Sequence, residues 1–276
     1  MAFNAREQLA HIPVVAHETT RLAQAFRSWP QSYWSRPAYC PGWTVADAAA
    51  HIATGGDFYA QVITSGRSGA PKLPWGASTP EEFRAVRQAA VNKLLDGGPA
   101  AVVEGFEQGG TRLQAVLESL QEADLPKVAL HPRGPIPIGF WIGMRILELS
   151  VHDWDMRQPH ETHAHLSPTV VPALLRVMPE IQLHLLERRA IEGLDGVYVL
   201  RAGDAAWGLT IQGQTVTYQA AAPAACDACL STDAESLILL TVGRTDVTEK
   251  LQSAALTITG NADQGKQLCA TLFRTY

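Results

Sequence analysis

The chain has 276 residues, 46% of them apolar and 18% charged. That is enough apolar material for sizeable cores, and it excludes a disordered chain. Lys and Arg total 22 against 27 Asp and Glu, a net charge of −5, which argues against a nucleic-acid or anionic-membrane partner, since both favour a basic face. The longest uncharged run, residues 205–226, carries Thr, Gln and Gly throughout and reads as strands, so no membrane span is expected. The first eight residues hold no apolar signal core and four Cys make no disulfide framework, so the expectation is a cytoplasmic protein, a monomer or a small homo-oligomer.

Through about residue 190 the pattern is helical. Leu9, Ile12, Val15, Thr19, Leu22 and Phe26 recur at three- and four-residue steps, predicting an amphipathic helix over 5–29 that kinks at or starts near Pro13. Thr44 and Asp47 make a capping-box start for a helix running to about Ser65. Thr79, Pro80, Glu81 and Glu82 combine a cap, a proline at the first position and acids at the positive end of the helix dipole. A fourth helix over 100–121 is weakened by Gly109 and Gly110. A Pro- and Gly-rich loop follows at 131–139, then a helix to Arg157, and a last one opened by Ser167 and Pro168 and ending near Arg189. Antiparallel helices with loops between them predict a bundle.

From Gly196 the period changes to two. Strands are expected at 197–201, 206–211, 215–218, 226–230 and 255–259, with helices at 235–243 and 263–273. The reading is an α+β chain of two domains, a helical bundle over 1–192 and a small α+β domain over 193–276.

Residues 140–155, FWIGMRILELSVHDWD, are the most informative stretch. A helix apolar on every face is a buried one. Yet Glu148 and His152 lie four apart, on one side and one turn from each other. A buried carboxylate needs a cation, a proton or a metal. Glu148 and His152 can ligate one divalent ion, and His51, on the stripe with Ala48, Gly55, Phe58 and Val62, can supply a third ligand. Two His and one carboxylate leave a coordination position open. The same residues also allow a plainer arrangement, with Arg145 pairing Glu148, His152 a hydrogen-bonded core histidine and His51 capping a neighbouring helix.

The stretch CPGWTVADAAAH, ending at His51, together with ELSVHDWD from Glu148, resembles the mycothiol-dependent maleylpyruvate isomerase family over about residues 5–190. The resemblance implies a DinB-like four-helix bundle in which His51, Glu148 and His152 bind a divalent metal, most often zinc. Residues 233–244 and 256–263 resemble the sterol-carrier-like domain often joined to that bundle, and the resemblance gives Arg244 a part in catalysis. The implied activity is a metal-dependent S-transferase or maleylpyruvate cis–trans isomerase with a low-molecular-weight, mycothiol-like thiol as cosubstrate and a small-molecule substrate. The alternatives are a metal-dependent hydrolase using bound water and a non-catalytic carrier of lipids or other small molecules.

Other signals point less far. Residues 260–267 resemble a phosphate loop, but Gln267 stands where Ser or Thr would hold Mg²⁺, and a turn with Asp263 capping the final helix explains them. Cys226 and Cys229 have redox-motif spacing, which on a strand puts them on opposite faces. His160, His163 and His165 read as an exposed loop. Asp155 is either a group that orients a ligand histidine or a solvated acid. Trp43 reads as packing at the bundle end.

Overall fold

The computed structural model describes residues 5–132, 134–187 and 189–273. These form two compact units, one extending through Val170 and the other beginning at Val171.

The first unit is helical. The expected opening helix is broken into α1 (Ala5–Leu9) and α2 (Ile12–Ser28), with Pro13 in the first turn of α2, where its missing N–H costs nothing. A single turn, α3 (Gln31–Trp34), precedes α4 (Val45–Arg67). At the start of α4 the Thr44 hydroxyl accepts from the Asp47 amide, and the Asp47 carboxylate accepts from the Thr44 amide at 2.8 Å, so the capping box forms with Asp in place of the usual Glu. Thr79 caps α5 (Pro80–Asp96) in the expected way, and α6 (Gly98–Glu118) follows.

The Pro- and Gly-rich segment is not a loop. It forms an antiparallel hairpin, β1 (Val128–His131) with β2 (Gly134–Pro137); residue 133 lies outside the described residues. β2 ends where α7 (Ile138–Arg157) begins. Pro135 and Pro137 are compatible with so short a pairing because neither strand continues into a larger sheet.

Helices α2, α6, α4 and α7 pack in a ring, each against the next, and α5 lies against α4 and α6. Between α4 and α6 the approach is backbone to backbone: a methyl group on Gly56 would lie 2.5 Å from the carbonyl carbon of Gly109. Gly56 is what permits this contact, and Gly109, which weakens α6 by propensity, is the tight but tolerable side of it, where a methyl would lie 3.1 Å from the Ala53 carbonyl oxygen. The core of α7 is buried on every side, as its sequence requires: Ile138, Trp141, Ile142, Ile146, Leu149 and Met156 are each at most 2% exposed.

The second unit begins with α8 (Val170–Leu186), so the helix that the sequence groups with the bundle falls in the α+β unit. Then come β3 (Gly196–Ala202), β4 (Ala205–Gln212), β5 (Thr215–Gln219) and β6 (Ala228–Thr232). Helices α9 (Ala234–Thr241) and α10 (Val247–Gln252) lead to β7 (Leu256–Gly260) and α11 (Ala262–Leu272). The sheet order is β5-β4-β3-β6-β7, with β3 and β6 parallel and every other pair antiparallel. The α9–α10 pair and β7 lie between the sheet's parallel crossing and the chain end. Gln182 of α8 anchors to this unit, donating to the Thr241 hydroxyl and accepting from the Trp207 indole. Asn261, not Asp263, caps α11, accepting from the amides of Asp263 and Gln264; this turn uses its own side chain to close the helix end.

Candidate active site

The ring of helices brings two segments that are distant in sequence to one point. α4 presents His51 about two turns after its cap, and α7 presents Glu148 and His152 on successive turns. His51 Nε2 lies 3.4 Å from Glu148 Oε1. The His51 and His152 rings meet with centroids 4.9 Å apart. His51 is therefore a neighbour of both Glu148 and His152.

Each is also held from behind. Asp155, fully buried, sits 3.0 Å from His152 Nδ1, which leaves Nε2 as the free ring nitrogen. The same Asp155 oxygen accepts from the Cys40 thiol at 3.2 Å, and the Asp155 backbone carbonyl accepts from the Tyr39 amide at 2.8 Å. Asp155 is therefore a buried anchor and not a solvated acid. Among the described residues, the three metal-type donors that all lie within 4.8 Å of one another are those of Cys40, His152 and Asp155, not those of His51, Glu148 and His152. Trp43, which reads in sequence as packing at the bundle end, faces both imidazoles, its ring 5.1 Å from His51 and stacked 5.9 Å from His152.

Glu148 is flanked by two guanidiniums. Arg145, 1% exposed, places Nη1 2.9 Å from Glu148 Oε2, and its Nη2 donates to the Ile52 carbonyl at 3.2 Å. The pairing that the sequence allowed between Arg145 and Glu148 is thus made, and it uses only one carboxylate oxygen. Arg87, from α5, points its Nη2 at the other side, 3.2 Å from His51 Nε2 and 3.4 Å from Glu148 Oε1. Its guanidinium lies over the Phe58 ring at 5.3 Å. No sequence signal marked Arg87, because α5 is an ordinary surface helix whose arginines read as solvated.

These contacts set the charges. Burial, with help from the Arg87 and His152 charges, outweighs the hydrogen bond with Glu148 and lowers His51 to about 4, so the imidazole is neutral at pH 7. Burial alone would raise the Glu148 carboxyl; the hydrogen bond with His51 and the charges of Arg145 and Arg87 overcome it and hold the carboxyl well below the usual carboxylate range. A neutral imidazole and an ionised carboxylate are the forms in which both groups offer lone pairs to a cation. His51 Nε2 donates to Glu148 when it carries the proton; in the other tautomer its lone pair faces Arg87.

Residues 15–157 match the family described as the mycothiol maleylpyruvate isomerase N-terminal domain, more than half of the chain. The chain belongs to this family. Residues 182–272 match the SCP-2 sterol transfer family, which agrees with the sheet and helices of the second unit. Two crystal structures share the whole architecture. The mycothiol-dependent maleylpyruvate isomerase is 15% identical with a TM-score of 0.60, and a point mutant of it is 16% identical with a TM-score of 0.61. Each alignment covers 93% of this chain and 93% of the other. At that identity the likeness is one of fold. No curated protein sequence matches the chain.

In this maleylpyruvate isomerase family member, Arg244 lies just beyond α9 in the second unit, half-buried, with its Nη1 donating to the Val242 carbonyl at 3.1 Å. Cys226 and Cys229 are free thiols, Cys226 lying before β6 and Cys229 within it. His160 gives its ring to the Pro37 carbonyl at 2.9 Å and packs on Tyr33. Among the described residues, no helix is long and apolar enough to cross a membrane.

Proposed function

We propose that this chain is a metal-dependent isomerase or S-transferase that uses a low-molecular-weight, mycothiol-like thiol, with His51, Glu148 and His152 as the metal ligands. The observation that carries the reading is the 3.4 Å separation of His51 Nε2 and Glu148 Oε1. Two ligand atoms on a tetrahedral zinc, each about 2.0–2.1 Å from it, are themselves about 3.3 Å apart. The donor chemistry fits as well: two imidazoles and one carboxylate suit zinc and leave a fourth position for an exogenous ligand. The contact from Asp155 to His152 Nδ1 is the carboxylate–histidine support typical of metal ligands, and it aims Nε2 away from Asp155.

A divalent metal held there would stabilise a bound thiol as its thiolate near neutral pH. Around it the chain's own groups have definite tasks. Arg145 balances the Glu148 charge from the buried side while leaving Oε1 exposed to the ligand position. Trp43 walls the two imidazoles on one side and excludes water there. For Arg244, in the second unit, the family resemblance is the support: a guanidinium there can hold a carboxylate in the bidentate manner. With maleylpyruvate as substrate, a thiolate sulfur adds to one carbon of the cis double bond and the electron pair passes into the conjugated carbonyl. The bond that is now single rotates, and expulsion of the thiolate restores the double bond in the trans form. No atom is gained or lost, and the thiol is returned.

The test is made on the purified full chain. One divalent ion per chain and thiol-dependent cis–trans isomerisation are expected, with both lost in His152→Ala. Full thiol-dependent turnover after the metal has been stripped would overturn the reading. Turnover that keeps the metal requirement but needs no thiol would replace it with hydrolysis by bound water.

A further inference from the structure

The metal reading leaves Arg87 unexplained, and its position is unusual. The Arg87 Nη2 stands at the point where the His51 and Glu148 donors converge, 3.2 Å from one and 3.4 Å from the other, with the His51 backbone carbonyl also at 3.4 Å. Glu148 does not need it for neutralisation, since Arg145 already supplies a buried partner at 2.9 Å. Arg87 is not well settled there either. Its carboxylate contact is long for a charge-assisted hydrogen bond, and its buried Nε finds no acceptor among the described residues. Arg87 also comes from a different helix than the ligands, and at 19% side-chain exposure it is near enough to solvent to move.

We propose that Arg87 is a built-in competitor for the cation site: its guanidinium and a divalent ion contend for the same faces of His51 and Glu148, and metal binding drives Arg87 outward. The inference rests on His51 and Glu148 being metal ligands. Its physical basis is simple. The lone pairs that attract the guanidinium are those a metal would use, and a guanidinium beside a doubly charged ion in a partly buried site is strongly repelled. Once displaced, Arg87 is a cation at the rim of the site with Phe58 beneath it, suited to an anionic group of an incoming ligand.

Two measurements on the full chain test this, neither of them an activity assay. The first is the affinity for Zn²⁺ by competition titration. Arg87→Gln should bind at least about tenfold more tightly than wild type, with Arg87→Lys between them. The second uses wild-type protein alone, so it does not depend on a variant folding. Phenylglyoxal labelling, read by mass spectrometry, should modify Arg87 several-fold faster with Zn²⁺ bound than without it, while Arg145 stays protected in both. Unchanged or weaker Zn²⁺ affinity in Arg87→Gln, or Arg87 labelling that ignores the metal, overturns the competition. Failure of the underlying reading looks different: Zn²⁺ binding to wild type would then be unaffected by Glu148→Gln or His152→Ala.

Discussion

Helix α7 carries two charged clusters within three turns, and they are built to opposite standards. Toward its C-terminal end, Asp153 is 1% exposed and accepts from Arg21 Nη2 at 2.9 Å and from Arg157 Nη2 at 2.9 Å and Nε at 3.3 Å. Its neighbour in this network, Glu18, is fully buried and accepts from Arg21 Nε at 2.8 Å and from the Ser167 hydroxyl at 3.0 Å. Both Glu18 oxygens and one Asp153 oxygen have partners within 3.0 Å, and the other Asp153 oxygen meets Arg157 Nε at 3.3 Å. One and a half turns earlier, Glu148 has a short ion pair to Arg145, the Tyr59 hydroxyl as a hydrogen-bond partner, and His51 and Arg87 at 3.4 Å from its other oxygen, while both surrounding guanidiniums have a buried Nε with no acceptor among the described residues. Saturated partners at short range lock α2 to α7. Loose, converging lone pairs beside unspent donors leave room for something else to bind. Burial and charge alone do not separate the two clusters; the completeness of their hydrogen bonding does.

That contrast can be broken at either end. The largest effect is expected from Glu148→Gln: thiol-dependent turnover should fall by about three orders of magnitude and the purified variant should carry no metal. Normal metal content in that variant would erase the distinction. Asp153→Ala should do the reverse. Removing the centre of the saturated network leaves two arginines facing a gap and should lower stability by about 3 kcal/mol in denaturant titration, while metal affinity stays within a few-fold of wild type. An unchanged unfolding midpoint would show that the network is not what holds α2 to α7. Asp155→Asn lies between the two: metal affinity should weaken about 10–100-fold with the fold intact, since the ring it supports is only partly misaligned. If affinity is instead untouched, His152 needs no support from behind. The smallest change is expected for Cys40→Ala, about 1 kcal/mol of stability for one buried thiol–carboxylate bond, with metal affinity within about threefold of wild type. A loss as large as that of Asp155→Asn would promote Cys40 to a ligand in its own right.

Much of this was legible in the sequence, for physical reasons that also explain the gaps. Capping chemistry is local, so Thr44 with Asp47 and Thr79 with Pro80 marked the starts of α4 and α5 correctly. Glu148 and His152 were visible because an acid in a run apolar on all sides demands a partner, and one helical turn fixes which residue shares its face. The hairpin at 128–137 was not, since proline and glycine in so short a pairing look the same as they do in a loop. Arg87 was invisible for a deeper reason. Its role depends on how α5 lies against α4, a tertiary fact, and among the polar residues of α5 an arginine that turns inward has no local signature. The grouping of α8 with the second unit is of the same kind: its amphipathic pattern says that it packs, not against what.

The turn before α4 has a bearing on how the molecule assembles. The Cys40–Asp155 bond joins residues 115 apart in the chain, and the Tyr39 amide meets the Asp155 carbonyl beside it. The loop it closes contains α4, α5, α6 and the hairpin. The entropy of closing so long a loop grows only slowly with its length, so the contact costs little once the helices that flank it are packed. The Asp155 carboxylate that supports His152 is thus tied to the turn before α4, and loss of that contact frees the support of the imidazole. Amide exchange at Tyr39 reports on that opening directly.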